Sequence, residues 1–192
     1  MRRLPLIRLF ERQMSTLKKA KCPPAIINKL RNQCTYVLMI AEIEIIPNNH
    51  LAFIPVIPQV YLDIYGLMNL LKQKKHTGNT NLDPYKIINK DKCKKDPYFI
   101  YDVENGECMI DKSPAQAQKT IATGNRRYLT VDEAIALCLR TQVLKSHNIY
   151  CAGSRYKDEG VPVLCIQDNH PRLSWHYIND HGKNWGIPFC SW

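Results

Sequence analysis

The sequence predicts an α+β fold with N-terminal helices, a central strand and helices, and a C-terminal antiparallel sheet of about four to six strands. Three observations predict it. Apolar residues recur at helical spacing through residues 4–41, a capping-box helix opens at Leu129, and four short β-patterned runs follow Lys145. A basic helical segment, 1–48, precedes an α+β domain, 49–192, or the two form one continuous domain. With 192 residues the chain can bury a sizeable core without staples.

The first helix runs from Leu4 to about Lys19, its stripe made by Ile7, Phe10, Met14 and Leu17. Lys21-Cys22-Pro23-Pro24 ends it, and a second helix is expected from Pro24 to Ala41, with proline in its first turn. His50–Ile57 reads as a strand that Pro55 confines to an edge or a short element. Helical spacing returns over Tyr61–Lys72 through Leu62, Tyr65 and Met68. Lys74–Lys95 is polar and lysine-rich, and it is expected to be a long loop.

Pro97–Val103 is a strand that ends in a turn at Glu104-Asn105-Gly106. Ser113-Pro114 opens a short helix through Ile121, closed by Gly124. Thr130 and Glu133 form a capping box ahead of Ile135, Leu137, Cys138 and Leu139. Asn148–Ala152, Val161–Gln167, Leu173–Ile178 and Gly186–Ser191 then read as four strands of an antiparallel meander, with the preceding helices on one face.

The net charge is +10, and its distribution is uneven. Residues 1–97 hold 17 Lys and Arg against 7 Asp and Glu, whereas residues 98–192 hold 10 of each. The positive charge clusters at Arg2–Arg31 and at Lys72–Lys95. Such an asymmetry suits an acidic partner, which can be nucleic acid, anionic membrane or an acidic protein; the alternative is a solvated, lysine-rich surface. Of the 8 cysteines, several sit in apolar runs, as at Cys138 and Cys165, and there they act as small core residues. Arg8, Glu11 and Arg12 interrupt any secretory signal, so a reduced, cytosolic protein is expected. The longest uncharged run, Ile45–Leu62, contains Pro47, Pro55 and Pro58 and is not built as a membrane span.

The second half carries an order of short motifs. Pro97-Tyr98-Phe99-Ile100-Tyr101-Asp102-Val103-Glu104-Asn105-Gly106 is followed by Leu129-Thr130-Val131-Asp132-Glu133-Ala134 and Gly153-Ser154-Arg155. Val161-Pro162-Val163-Leu164, Pro171-Arg172-Leu173-Ser174-Trp175 and Trp185-Gly186 with Cys190 complete it. This order resembles a family of bacterial proteins described only as a domain of unknown function. The resemblance spans Pro97 to Trp192 and extends to Phe53–Leu71, where the family has a Val-Pro-rich strand followed by a helix. It implies a cytosolic bacterial protein of α+β type and brings no activity. The chain departs from the family pattern at His176-Tyr177, where members often have cysteine and tryptophan, and it stops soon after Cys190.

Three constellations carry possible chemistry. In Gly153-Ser154-Arg155, glycine admits close backbone approach, serine offers a hydroxyl, and Arg155 can clamp a carboxylate or phosphate. With Arg172 and Trp175 these residues make the expected ligand-binding cleft; the competing reading is a strand end with Arg155 paired to an acid. His170, His176, His181 and Cys190, near Asp168 and Asp180, are the candidates for a metal, although no pair has the usual zinc-ligand separation. Cys151 and Cys190, with His147 four residues before Cys151, are the candidates for a thiolate nucleophile, against the commoner buried structural thiol.

No phosphate-cradling loop, serine elbow or paired-carboxylate signature is present. The expectation is therefore a non-catalytic ligand- or protein-binding module, with cofactor and partner unspecified. The alternatives are a small enzyme with a Cys or His–metal site in the C-terminal sheet and a nucleic-acid binder acting through the basic N-terminal half. Tyr36, Tyr61 and Tyr85 are not interleaved with the basic runs as a stacking platform would need. The stripe of the first helix can pack on the protein's own core, on a partner helix or on anionic lipid.

Overall fold

Helix α1, Arg3–Lys19, forms where the stripe predicts it. The computed structural model describes residues 3–90, 94–121 and 125–191. Phe10, Met14 and Leu17 of α1 are buried, with Phe10 stacked on Phe99 at 5.7 Å and tilted against Phe53 at 6.3 Å. The stripe therefore packs on the protein's own core, and Gln13 Nε2 ties it there by donating to Phe53 O at 2.7 Å. Lys21 turns left-handed at φ 64°, which ends the helical run before the two prolines.

The second expected helix is two helices. Helix α2 spans Pro24–Arg31 and α3 spans Cys34–Ile43. Between them Gln33 N–H reaches back only three residues to Leu30 O, at 3.1 Å, and its side chain donates to Pro97 O at 2.7 Å. That tertiary anchor fixes the tightened turn, and spacing alone does not reveal it.

Strand β1, Leu51–Val56, pairs antiparallel with a later strand, Tyr98–Val103, in a sheet of two, with Pro55 opposite Phe99. A strand partnered on one side tolerates proline, as expected. Asp63 then caps helix α4, Ile64–Leu70, by accepting from Gly66 N–H at 2.7 Å.

Lys74–Lys95 was expected to be a long loop, and short strands interrupt its described part. Strands β2, Lys72–Gln73, and β3, His76–Thr77, form a hairpin. Strand β4, Asn79–Thr80, and β5, Ile87–Asn89, add to the large sheet. Strands of two or three residues show no readable alternation, and their existence depends on the partner backbone. Residues 91–93 lie outside the described residues, as does Gly124.

Strand β6 is the Tyr98–Val103 partner of β1, and α5 spans Pro114–Ile121. The turn between them places Gly106 at φ 98°, where a Cβ would meet Ile187 N at 2.8 Å. Strand β7, Arg126–Tyr128, precedes helix α6, Val131–Arg140, and α7, Val143–Ser146. Glu133 makes its half of the capping box, accepting from Thr130 N–H at 2.9 Å.

The large sheet has seven strands. Its antiparallel centre is β8, Asn148–Tyr150, β10, Gly160–Gln167, and β11, His170–Tyr177, with β9, Ser154–Tyr156, joining β10. Asp168 and Asn169, at φ 51° and 62°, make the tight turn between β10 and β11. The strand expected over Gly186–Ser191 is divided at Ile187-Pro188. Strand β12, Trp185–Gly186, runs parallel to β8, while β13, Phe189–Ser191, pairs antiparallel with β7. Strand β4 is likewise parallel to β11, so the antiparallel centre carries parallel additions at both edges.

One apolar cluster joins α1, α2, α4 and α6 to β1, β6 and the inner face of the large sheet. No described helix is long and apolar enough to cross a membrane.

Candidate functional site in a lysine-rimmed groove

The expected site residues are placed as follows. A Cβ at Gly153 would lie 2.5 Å from Tyr128 O, so this glycine lets β9 cross the start of α6. Ser154 is fully buried; its hydroxyl accepts from Val131 N–H at 3.0 Å and donates to Asn89 Oδ1. Ser154 thus caps α6 from a distant strand. Arg155 Nη1 donates to Ala152 O at 3.1 Å and Ser154 O at 2.8 Å, and Gln118 faces its other terminal nitrogen at 2.5 Å. Burial lowers the Arg155 pKa, and no carboxylate pairs with it among the described residues.

Arg172 and Trp175 are three apart on β11 and so point to opposite faces. Trp175 packs between Tyr156, at 5.8 Å, and Tyr177, at 5.2 Å, with Lys157 over its ring. The five residues do not line one cleft.

The metal candidates are also dispersed. His170 Nδ1 lies 3.0 Å from Thr77 O, and His176 packs on Trp185 at 4.7 Å. His181 is exposed, and Cys190 is buried in β13. Among the described residues no group of three or more His, Cys, Asp or Glu side chains converges on one point. His147 turns to Asn105 O, 3.0 Å from Nε2, and burial raises the Cys151 thiol far above its ordinary pKa. A raised thiol pKa holds Cys151 in its non-nucleophilic form.

Unpartnered charge gathers elsewhere. A groove of about 360 Å³ lies where the last turns of α1 and α6 meet α4, the β2–β3 hairpin, α7 and the β10–β11 hairpin. Leu70, Leu71, Leu139, Leu144, Ile166 and Pro171 make its apolar floor. Lys19, Lys72, Lys74 and Lys145 rim it, and no acidic side chain lines it. None of the four lysines is in an ion pair among the described residues; Lys145 donates to the neutral amide of Gln142 at 2.8 Å.

The local fold explains how four elements deliver these cations. Lys19 occupies the last turn of α1, where the helix dipole favours it. Leu71 leaves α4 in an extended conformation, which leads directly into Lys72 of β2. Lys74 turns left-handed at φ 54° in the hairpin. Thr141 connects α6 to α7 by donating from Oγ1 to Leu137 O at 2.9 Å and accepting from Val143 N–H at 3.3 Å.

Arg140, which lies between the lining residues Leu139 and Thr141 in sequence but does not itself line the groove, donates one nitrogen to Gln13 O. Its Nε and Nη2 are buried with no partner. Burial lowers its pKa to about 10, which leaves it cationic at neutral pH. The two helix C-termini oppose these charges with about half a negative charge each. The four lysines outweigh that, so the groove is net positive.

The profile of one protein family matches residues 16–191. The chain belongs to that family, a family of unknown function (DUF5701). The match takes in every lining residue of the groove and reaches well upstream of the motifs from Pro97 onward. No curated protein and no solved structure matches the chain. Membership of the family adds no chemistry to the site.

The sequence reading missed this groove. Two of its signals were visible, because Lys19 belongs to the first basic cluster and Lys72 and Lys74 to the second. Their convergence with Lys145 is a product of tertiary packing.

Proposed function

We propose that this protein is a non-catalytic binding module for a small amphiphilic anion, a carboxylate or phosphate attached to an apolar chain. The observation that carries the reading is the ring of four unpaired lysines above an apolar floor, with no acid in the lining. The groove volume of about 360 Å³ falls in the range of small-ligand sites. Apolar burial supplies affinity, and the ammonium groups select the charged end. A bacterial, cytosolic setting belongs to the same proposal, supported by the free thiols of Cys22, Cys34, Cys108, Cys138, Cys151 and Cys165.

Calorimetric titration with decanoate, decanol and decylammonium tests the reading. Decanoate is expected to bind at least tenfold more tightly than either other probe, and its affinity to fall from 50 to 500 mM salt as the lysines are screened. Equal binding of decanoate and decanol would overturn the reading, as would no binding of decanoate at millimolar concentration.

A further inference from the structure

A second cleft, of about 540 Å³, runs between α3 and β6 on another side of the molecule. Gln33 and Glu44 line its two ends, eleven residues apart along α3, a separation of about 16 Å at helical rise. The charges of its opposite wall are already matched. Arg127 donates both terminal nitrogens to Glu133, at 2.7 and 2.6 Å, and Tyr98 donates to the same carboxylate at 2.8 Å.

The Glu44 end differs. The Glu44 carboxylate is half-buried and makes no hydrogen bond or ion pair among the described residues. Its charged neighbours are Asp102 and Arg126. Arg126 is committed to Asp102, with Nη2 donating at 2.5 Å, and lies over the Phe189 ring at 5.2 Å. Asp102 also holds His50 Nδ1 at 2.5 Å. Asp102 therefore engages both Arg126 and His50, and Glu44 is left without an ion pair among the described residues. Burial, then repulsion from Asp102, raises the Glu44 pKa, against a smaller pull from Arg126.

Tyr101 lines the cleft within electrostatic reach of this carboxylate, and Tyr36 lines it eight residues, about 12 Å, back along α3. Burial, then the neighbouring Tyr36 and Glu44, pushes the Tyr101 pKa up to about 12. An unpaired carboxylate beside a phenol ring is the chemistry that holds an organic cation, because ring and carboxylate attract it together.

We infer that the Glu44 end of this cleft, with Tyr101, binds the cationic group of a linear guanidinium- or ammonium-bearing ligand whose chain runs past Tyr36. The rest of the chain lies along β6 towards Lys94. Lys94 lines the cleft and sits 5.4 Å over the Tyr98 ring, so an anionic or neutral tail fits that end better than a second cation. The site is independent of the lysine-rimmed groove, and neither reading depends on the other.

The test is titration with 4-guanidinobutanoate, agmatine and hexanoate, each followed by calorimetry and by the tyrosine ring signals in NMR. The two guanidinium probes are expected to bind and to shift Tyr36 and Tyr101, with 4-guanidinobutanoate the tighter and hexanoate giving no shift there. Glu44→Gln is expected to weaken the guanidinium probes at least tenfold while leaving decanoate binding unchanged. Its thermal midpoint should be unchanged or higher, since a desolvated charge is removed. Tyr36→Phe keeps the ring and is expected to bind within twofold of the parent, whereas Tyr36→Ala loses several-fold. Failure of both guanidinium probes at millimolar concentration, or unaltered binding by Glu44→Gln, would overturn the inference and leave Glu44 as a hydrated neighbour of Arg126.

Discussion

The two ends of helix α6 treat charge in opposite ways. At the N-terminal end every strong ion has a partner: Glu133 is shared by Arg127, Tyr98 and the Thr130 amide, and Ser154 takes the next amide. At the C-terminal end Arg140 keeps two buried nitrogens unpartnered, and the nearby lysines face solvent without an acid. Satisfied buried charge specifies a fold, whereas charge left unsatisfied around an apolar floor is available to a ligand.

The comparison breaks most visibly at its saturated end. Glu133→Ala should cost about 3–5 kcal/mol, because it strands Arg127 in a buried setting, and denaturant unfolding measures it directly. A loss under about 1 kcal/mol would show that the N-terminal network is not structural.

At the open end the double change Lys72→Glu with Lys145→Glu should leave the fold intact, since both side chains are exposed. It should weaken decanoate at least tenfold in calorimetry, about 1.4 kcal/mol. A similar loss from Lys18→Glu, which does not line the groove, would mean that net charge alone attracts the ligand.

A third change sharpens the saturated end at its one weak point. Among the described residues Asp132 is buried with only the neutral Gln59 as partner, its amide donating at 2.6 Å, and burial pushes its pKa up to about 6. A carboxyl whose folded pKa exceeds its unfolded value is destabilising when ionised. Stability at this group should therefore rise as pH falls from 7 towards 4, and Asp132→Asn should remove that slope and stabilise the protein at pH 8 by about 1–2 kcal/mol. Thermal unfolding of both proteins at pH 5 and pH 8 measures the difference.

The smallest effect is expected at Arg140→Met. Losing the bond to Gln13 O is offset by deleting two unpartnered buried donors, so stability should stay within about 1 kcal/mol of the parent, while decanoate binding weakens two- to fivefold. Unaltered affinity would confine the site to the lysine rim.

Much of this contrast was legible in the sequence, but unevenly. The α1 stripe, the edge strand with Pro55 and the Glu133 half of the capping box all depend on local spacing, and all appear where spacing puts them. The short strands β2–β5 and β7 carry no pattern of their own, because the partner strand decides them. Gly153-Ser154-Arg155 reads as a ligand string, yet the buried start of α6 needs Gly153 for close approach and Ser154 for an orphan amide. The groove was invisible for a related reason. Lys19, Lys72 and Lys145 meet only because α4 and α6 dock beside the end of α1, and a linear pattern holds no record of that packing.

Reductive methylation of the lysines with ¹³C, which keeps their charge, followed by NMR during decanoate titration, tests the lysine groove most directly. The account predicts saturable shifts of Lys19, Lys72, Lys74 and Lys145 together, with Lys18 and Lys94 unmoved. Shifts spread evenly over all lysines, or confined to residues outside the groove, would contradict it.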